Sequence, residues 1–324
     1  MEYRYVGKTG LKVSEVSLGA WLTFGGSVAQ QGTEACISEA INQGVNFVDI
    51  ADVYARGEAE KVVGNIMQNY TRKDFVISSK VFWPMSDNIN DRGLSRKHIR
   101  ESIELTLDRL GMDYLDIYFC HRFDRYTPLR ETVLAMDDLV RDGLVHYWGT
   151  SVWTAAQLER TVGLCREIGT SLPRVEQPRY NMLDRFIELE IMETCNRNGI
   201  GLVIWSPLAQ GILTGKYNEG TPLDSRGGQR PQFLQRELIP ENIAKIKQLG
   251  EVAKELDLTT GQLALAWILR RPEITSVITG ATKPEHVTSN VKASGVKLDA
   301  EVLEKIEQML SNKPEFHPVY RPPW

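Results

Sequence analysis

Short apolar segments that end in polar residues recur along this chain, and segments with helical periodicity separate them. Their apolar residues occupy consecutive positions, which is typical of parallel strands covered on both faces. Six segments lead into candidate functional residues, namely Asp49, Lys80, His121, Ser151, Gln177 and the pair Trp205-Ser206. Polar side chains delivered at the ends of successive parallel strands are how a (β/α)8 barrel builds a catalytic face.

The helical segments alternate with the strands in a regular order. They lie near 33–43, 58–68, 96–110, 130–141, 155–168, 186–197, 241–256, 284–293 and 299–310. Gly44 suits the C-terminal cap of the first helix, and Ser95 and Thr154 suit N-terminal caps. Such alternation leaves a barrel or an open doubly wound sheet. About eight strand candidates, with no G-x-G-x-x-G after the first strand, favour the barrel.

Three segments depart from this alternation. Residues 3–13 predict a β-hairpin that caps the closed end of the barrel. Residues 208–240 form a long loop rich in Gly and Pro, and such loops are usually functional. Residues 312–324 contain four prolines and are expected to lie over the open face. We therefore predict an α/β fold, a (β/α)8 TIM barrel with an N-terminal β-hairpin cap, a long loop after strand 7 and an extra C-terminal helix and tail, as one domain over residues 1–324.

Composition excludes several classes of protein. The net charge of −4 provides no basic surface for nucleic acid. No apolar run approaches the ~20 residues that a membrane helix needs, and the N-terminus lacks the apolar core of a signal peptide. We therefore expect a cytoplasmic protein with no membrane or nucleic-acid partner, and assembly into a homo-oligomer is left open.

The cysteines do not indicate a metal or disulfide framework. Cys36, Cys120, Cys165 and Cys195 are widely spaced and include no C-x-x-C pair. In a reducing compartment they are most simply small core residues. Zinc ligation would need closer pairing or help from histidines, so we predict no metal site.

Four residues near strand ends form a candidate proton-transfer set: Asp49, Tyr54, Lys80 and His121. A free phenol has a pKa of about 10 and is a poor proton donor at neutral pH, but a nearby ammonium lowers its pKa. Lys80 can supply that charge, Asp49 can hold the ammonium, and His121 can orient a carbonyl oxygen or complete a proton relay. Asp52 also lies close in sequence, but its loop position suits a turn cap better.

Ordered motifs along essentially the whole chain resemble the aldo-keto reductase superfamily. The motifs are Asp49-Ile50-Ala51-Asp52-Val53-Tyr54, Ser79-Lys80, His121-x-x-Asp124 and Trp148-Gly149-Thr150-Ser151. The resemblance is closest to the branch that holds the potassium-channel beta subunits and their bacterial relatives, through Phe82-Trp83, Gly93-Leu94-Ser95-Arg96-Lys97-His98-Ile99 and Trp205-Ser206-Pro207-Leu208-Ala209-x-Gly211.

The resemblance implies an NADPH-dependent reductase that converts aldehydes or ketones to alcohols by hydride transfer. It implies Tyr54 as the proton donor, with Lys80 and Asp49 tuning it. His121 occupies the fourth catalytic position, where the channel subunits typically have Asn and the reductases typically have His. The chain therefore departs from the channel pattern toward the enzyme pattern.

The resemblance also implies a set of cofactor-binding residues. Ser151 and Gln177 would bind the nicotinamide carboxamide, and Trp205 would stack on the ring. The remaining assignments are Trp21, Ser206, Pro207, Leu208, Gln210, Gly211, Lys216 and Arg226 toward the ring and phosphates, and Gly280, Thr282, His286 and Asn290 toward the adenosine. Many superfamily members have Lys and Arg at the positions of Gly280 and His286, where they bind the 2′-phosphate. Because this chain lacks both, the preference for NADP rests on Lys216 and Arg226, and NAD is the less favoured cofactor.

The substrate pocket is expected to be apolar. Trp21, Phe82, Trp83 and Trp153 follow strand ends and could wall the space above Tyr54, and Trp21, Tyr54, Trp83 and His121 are the predicted substrate contacts. Aromatic walls without clustered arginines suggest a small-molecule aldehyde or ketone that needs no phosphate or carboxylate. Two alternatives stay open: a cofactor-binding redox sensor subunit with slow turnover, and a metal-dependent barrel hydrolase, which would need more histidine and carboxylate ligands.

Overall fold

Eight parallel strands close into a barrel in the computed structural model, which describes residues 1–21, 24, 30–317 and 319. The barrel follows the order of the chain, and its last strand pairs with its first through Val277 opposite Val16. The barrel strands are β3 (Val16–Gly19), β4 (Phe47–Asp49), β5 (Val76–Val81), β6 (Leu115–Cys120), β7 (Val145–Ser151), β8 (Val175–Gln177), β9 (Gly201–Ile204) and β10 (Ile274–Thr279). The (β/α)8 barrel predicted from the sequence is confirmed.

An antiparallel hairpin closes the amino-terminal end of the barrel, as predicted. Its strands are β1 (Tyr3–Tyr5) and β2 (Lys12–Ser14). Val6 and Val13 from this hairpin belong to the same apolar cluster as Phe47, Ile117 and Val175 of the barrel strands. The hairpin therefore completes the core at the end opposite the strand carboxyl termini.

Helices surround the barrel and bury a second, larger apolar layer against the outer faces of the strands. They are α1 (Gln30–Asn42), α2 (Glu58–Met67), α3 (Arg96–Leu110), α4 (Leu129–Arg141), α5 (Ala155–Ile168), α6 (Ile191–Asn198), α7 (Arg226–Gln229), α8 (Pro240–Glu255), α9 (Thr260–Leu269), α10 (Pro284–Val291) and α11 (Ala300–Leu310). The predicted caps are present: Ser95 accepts from His98 N, Thr154 forms a capping box with Gln157, and Gly44 has a φ of 84° after α1.

Helix α9 was missed by sequence periodicity, and the reason is its burial. Residues 261–269 are all buried, so the helix has no polar face and no amphipathic period to detect. The helix predicted over 186–197 is also different, because a 3-10 turn at Phe186–Glu188 precedes α6. Both differences lie outside the strand ends that carry the candidate residues.

The long connection after the seventh barrel strand runs from 205 to 239 and contains short helical turns. These are 3-10 turns at Ala209–Thr214 and Pro231–Phe233, with α7 between them. The C-terminal tail is non-helical over 311–317, and Asn312 donates to Met182 O at 2.8 Å. The predicted position of the rest of the tail, apart from Val319, lies outside the described residues.

The four cysteines are buried and unpaired, as predicted. Within the described ranges, none of the helices combines the length and the apolar character needed to cross a bilayer.

Candidate active site

Strand alternation explains why polar side chains meet at the carboxyl end of the barrel. Phe47, Phe119 and Val175 belong to the interior cluster, and side chains two residues further along a strand point to the same face. Those positions are Asp49, His121 and Gln177. By the same period Lys80 follows Val76 and Trp205 follows Val203. The interior apolar layer is therefore continued by a polar layer on the same strands.

Lys80 and Asp49 form a buried ion pair at the centre of this layer. Lys80 is fully buried, and its Nζ donates to Asp49 Oδ2 at 2.6 Å and to Ile50 O at 2.6 Å. Asp49 Oδ1 accepts from Ser78 Oγ at 2.7 Å and from Gln177 Nε2 at 2.9 Å. A buried charge is tolerated when it is paired and hydrogen-bonded in this way. The pair is therefore fixed in one geometry.

Tyr54 lies directly against this ion pair. Lys80 Nζ donates to Tyr54 Oη at 3.3 Å and lies 4.9 Å from the centre of the phenol ring. Tyr54 begins a 3-10 turn after β4, in which Ala55 and Arg56 have positive φ values of 49° and 53°. Positive φ at non-glycine residues costs free energy and clusters at functional sites. The strained turn holds the phenol over the lysine.

The direction of the Tyr54 pKa differs from the sequence prediction. Burial raises the pKa of Tyr54 well above 10, and the Asp49 carboxylate raises it further. The cation that opposes this rise is Arg122, and burial in turn lowers the pKa of Lys80. The prediction that Lys80 lowers the phenol pKa below its free value is wrong for this structure, because desolvation and the paired carboxylate outweigh the ammonium. The phenol is neutral and holds its proton.

His121 is the neighbour of Tyr54 on the other side. The two rings meet edge to face with centroids 6.1 Å apart, and Trp83 lies 6.2 Å from the imidazole. Burial, followed by the charges of Lys80 and Arg122, lowers the pKa of His121 well below 6.5. The imidazole is therefore neutral and can donate one hydrogen bond to a carbonyl oxygen.

Asp52 does not take part in the Lys80 pair. It is buried, and its Oδ1 accepts from Val53 N at 2.6 Å, in agreement with the turn role predicted for it. Burial and the neighbouring Glu60 raise its pKa well above 3.8. Asp49 is therefore the carboxylate that holds the lysine.

A cavity of about 830 Å³ opens above Tyr54 and reaches α10. Its walls include every predicted cofactor residue and the four predicted substrate contacts, and of the four predicted catalytic residues only Lys80 lies behind the wall, beneath Asp49 and Tyr54. These residues are Trp21, Asp49, Tyr54, Trp83, His121, Ser151, Gln177, Trp205, Ser206, Pro207, Leu208, Gln210, Gly211, Lys216, Arg226, Gly280, Thr282, His286 and Asn290.

Two of the predicted aromatic walls are wrong. Trp153 is buried and packs edge to face on Phe123, with ring centroids 4.9 Å apart. Phe82 packs in the same manner on Trp83 at 5.1 Å and supports it from outside the cavity wall. Both follow strand ends in sequence, but their side chains point into the protein rather than toward the cavity.

The loop after β9 forms the far half of the cavity. Arg226 donates to Gln210 Oε1, and its guanidinium lies 5.6 Å from the Trp21 ring, which in turn lies 6.2 Å from Trp205. Gln210 and Gly211 have φ values of 59° and 93°. A Cβ on Gly211 would come within 2.8 Å of the end of Lys216. The glycine therefore leaves room for the lysine side chain beside the loop backbone.

This half of the cavity fits an anionic cofactor. Lys216, Arg226 and Arg230 line it, and within the described ranges none of them forms a salt bridge. Burial, followed by the charges of Lys216 and Lys283, lowers the pKa of His286. The Nδ1 atom of His286 accepts a hydrogen bond from Thr282 N at 3.4 Å. Cations without a salt-bridge partner are suited to phosphate oxygens. No group of three or more potential metal ligands occurs in the part of the chain that the structure describes.

Sequence reasoning assigned no role to several polar residues of the cavity, and three of them lie beside predicted site residues. Arg230 and Gln229 lie near Arg226, and Arg122 lies beside His121. Arg122 is the second residue after β6, so the search for polar residues at strand ends also covers it. The substrate pocket was expected to be apolar, but Arg122 places a positive charge in the catalytic half of the cavity.

The chain is similar to known proteins along almost its whole length. Residues 15–311 match the sequence model described as the Aldo/keto reductase family. A protein of Arabidopsis thaliana named as a probable voltage-gated potassium channel subunit beta is 44% identical over 329 positions, which cover 99% of this chain and 100% of the relative. A protein of Oryza sativa subsp. japonica with the same name is 42% identical over 329 positions, with the same coverage of 99% and 100%. The resemblance recognised in the sequence is confirmed.

Proposed function

This chain belongs to the aldo/keto reductase family and is an oxidoreductase, and from that premise we propose that it reduces aldehydes or ketones to alcohols with NADPH. The observation that carries the proposal is the contact of Lys80 with both Asp49 and Tyr54, at 2.6 and 3.3 Å, beneath an open cavity. That arrangement presents a neutral phenol, backed by a fixed ammonium, to whatever enters the cavity.

A bound nicotinamide cofactor would supply the hydride that the carbonyl carbon receives. In the same reduction the carbonyl oxygen receives a proton, and Tyr54 Oη donates it. The phenolate left behind is stabilised by Lys80, whose ammonium stays in place because Asp49 and Ile50 O hold it. The attraction between Lys80 and Tyr54 Oη grows as negative charge develops on the phenol oxygen. It therefore stabilises the transition state more than the ground state and lowers the barrier to reduction. The raised pKa of Tyr54 keeps the proton available until that moment.

His121 orients the carbonyl oxygen in this proposal. Its neutral imidazole lies beside the phenol, and its ring is fixed between Tyr54 and Trp83. A neutral donor polarises the carbonyl without competing for the proton that Tyr54 delivers. Trp83 and Trp21 contribute apolar walls.

The cofactor would lie along the far half of the cavity. Ser151 and Gln177 are the proposed partners of the nicotinamide carboxamide, and Trp205 the proposed stacking surface. Arg179 covers one face of Trp205 at 5.6 Å, which supports a single open face toward the cavity. The unpaired cations Lys216, Arg226 and Arg230 support a phosphorylated ribose and hence NADPH over NADH.

Cofactor binding and turnover test the proposal separately. Tryptophan fluorescence of the purified protein should be quenched by NADPH at lower concentration than by NADH. Absorbance of NADPH should then fall when an aromatic aldehyde is added. Binding of neither cofactor would refute the oxidoreductase site as proposed, and binding without turnover of any aldehyde would refute carbonyl reduction.

A second function is favoured by the names of the relatives. If this chain acts as they are named, it would be a regulatory subunit that binds the cofactor and associates with a channel protein, with slow turnover. His121 supports the enzyme over this alternative. A single-turnover measurement distinguishes them, because an enzyme oxidises its bound NADPH within seconds of aldehyde addition, whereas a slow sensor retains it for minutes. The buried, unpaired cysteines support a reducing, cytoplasmic location for either function.

A further inference from the structure

Arg122 is a cation of the catalytic half of the cavity that has no role in the proposed chemistry. It follows His121, and its Nη1 donates to the His121 backbone oxygen and to Ser151 Oγ at 3.5 Å. Its guanidinium carbon lies 5.6 Å from the centre of the Trp83 ring. These contacts place the charge beside His121, which is proposed to orient the carbonyl, and beside Ser151, a proposed partner of the nicotinamide carboxamide.

No salt bridge with the described part of the protein compensates the charge of Arg122, and the buried Glu176 carboxyl acts on it only from a longer distance. Lys80, by contrast, is fully buried near the phenol and is paired with Asp49, whereas Arg122 is half-buried. Its hydrogen bonds to described residues are made by Nη1 alone. Arginine has five N–H donors in a planar fork that matches a carboxylate. The Arg122 guanidinium therefore retains N–H donors that can bind a ligand in the cavity.

The other unpaired cations of the cavity belong to a different cluster. Arg226 contacts Gln210 and Trp21, and Lys216 lies against Gly211. Arg122 contacts His121, Ser151 and Trp83 instead. Phosphates bound by the first cluster would lie away from Arg122, which is left available to a second anion in the cavity.

We propose that Arg122 binds a carboxylate of the substrate, so that this protein prefers oxo acids, aldehydes or ketones that carry a carboxylate, over their neutral analogues. The proposal rests on the proposed carbonyl reduction for its chemistry, and the carboxylate itself takes no part in bond making. Trp83 provides an apolar wall beside the guanidinium, which strengthens a charge-assisted contact by excluding water. The anion and the aromatic wall together define the substrate class.

The test compares two aldehydes that differ mainly in charge, 4-carboxybenzaldehyde and 4-formylbenzamide. Binding is measured by tryptophan fluorescence in the presence of NADP⁺, where no hydride is available and turnover cannot occur. We expect wild-type protein to bind the carboxylate about tenfold or more tightly. Arg122→Met should weaken the carboxylate by about 10- to 100-fold and the amide by less than about threefold. Arg125→Met, at an exposed arginine outside the cavity, is the matched control.

Three results would overturn the proposal. The first is equal affinity of wild-type protein for the two aldehydes, which does not depend on any variant folding. The second is equal weakening of both aldehydes in Arg122→Met. The third is a loss of NADPH affinity in that variant as large as its loss of carboxylate affinity, because Arg122 would then be a cofactor contact.

Turnover with NADPH separates this inference from the proposed function. If wild-type protein reduces both aldehydes without preference, the inference fails and carbonyl reduction stands. If it binds the carboxylate selectively but reduces neither aldehyde, carbonyl reduction fails and the anion site stands. In the expected result, the selectivity appears mainly in KM, because the contact is the same in the ground state and the transition state.

Discussion

Gln177 reaches across the barrel to Asp49, and the hydrogen bond from its Nε2 to Asp49 Oδ1 is 2.9 Å long. The two residues end strands β8 and β4, which lie four strands apart in either direction around the closed sheet. The carboxylate that holds Lys80 is thus anchored from the opposite side of the barrel. A proposed cofactor residue is therefore joined by hydrogen bonds to Asp49, Lys80 and Tyr54 of the proton-transfer set.

The first prediction concerns this anchor. Gln177→Leu removes a donor to a buried carboxylate, so the free energy of unfolding should fall by about 1.5–3 kcal/mol. Gln177→Glu places a second carboxylate beside Asp49, which raises the pKa of the pair. A raised carboxyl pKa in the folded state costs stability as the pH rises above about 4.3, the unfolded Glu value. Urea unfolding at pH 5 and pH 8 should therefore show a loss of stability that grows with pH in Gln177→Glu and stays constant in Gln177→Leu. A loss in Gln177→Glu that is the same at both pH values would contradict the anchor.

The second prediction concerns the proton donor. Tyr54→Phe should lower kcat for aldehyde reduction by about 10²–10⁴-fold while NADPH affinity stays nearly unchanged, because the phenol is proposed to donate a proton and not to bind the cofactor. Tyr126→Phe, at a tyrosine that is 91% exposed, is the control. A loss below about tenfold in Tyr54→Phe would remove the residue from this role.

The third prediction concerns the cofactor loop. The double change Lys216→Ala with Arg226→Ala should weaken NADPH by about 150-fold or more and NADH by much less, since each charge-assisted contact contributes roughly 1.5–3 kcal/mol, or about 10- to 150-fold in affinity. Arg125→Ala with Lys292→Ala removes two exposed cations outside the cavity and should change neither affinity. Equal weakening of both cofactors would show that the loop binds the pyrophosphate that they share.

The fourth prediction concerns His121 and pH. The folded protein keeps this imidazole neutral, so below about pH 6.5 the unfolded chain binds a proton that the folded state does not. Stability therefore falls as the pH decreases through that value, by up to ~1.4 kcal/mol per pH unit for this group. His121→Asn should lose this component, and the difference in unfolding free energy between the two proteins should shrink or invert from pH 7 to pH 5.

The same variant tests the enzyme against the sensor. Asn can still donate to a carbonyl oxygen, so His121→Asn should reduce but not abolish turnover.

In the stability measurement, His98 is retained in both proteins and its contribution to the pH dependence cancels in the comparison. A difference in unfolding free energy that does not change with pH would show that His121 titrates alike in the folded and unfolded states.

The periodicity of the sequence determined the barrel and the strand ends. A side chain two residues beyond an interior residue must face the same way along a strand, so Asp49, His121 and Gln177 were predictable as neighbours at the open end. Lys80 followed from the same reasoning, Tyr54 followed from its place five residues after Asp49, and the motif resemblance extended the site to the cofactor loop. Helix α9 escaped because complete burial removes the polar face that periodicity needs.

Only the tertiary structure decided what these side chains do to one another. The pKa of Tyr54 depends on burial and on three-dimensional distances to Asp49 and Arg122, which sequence spacing does not contain. Trp153 turned inward because Phe123 packs on it, whereas Trp83 remained at the cavity. Arg122 was visible in the sequence beside His121, but its unpaired state depends on which carboxylates the fold brings within 4 Å of it. Strand order is local information, and charge compensation is set by contacts between residues that are distant in the chain.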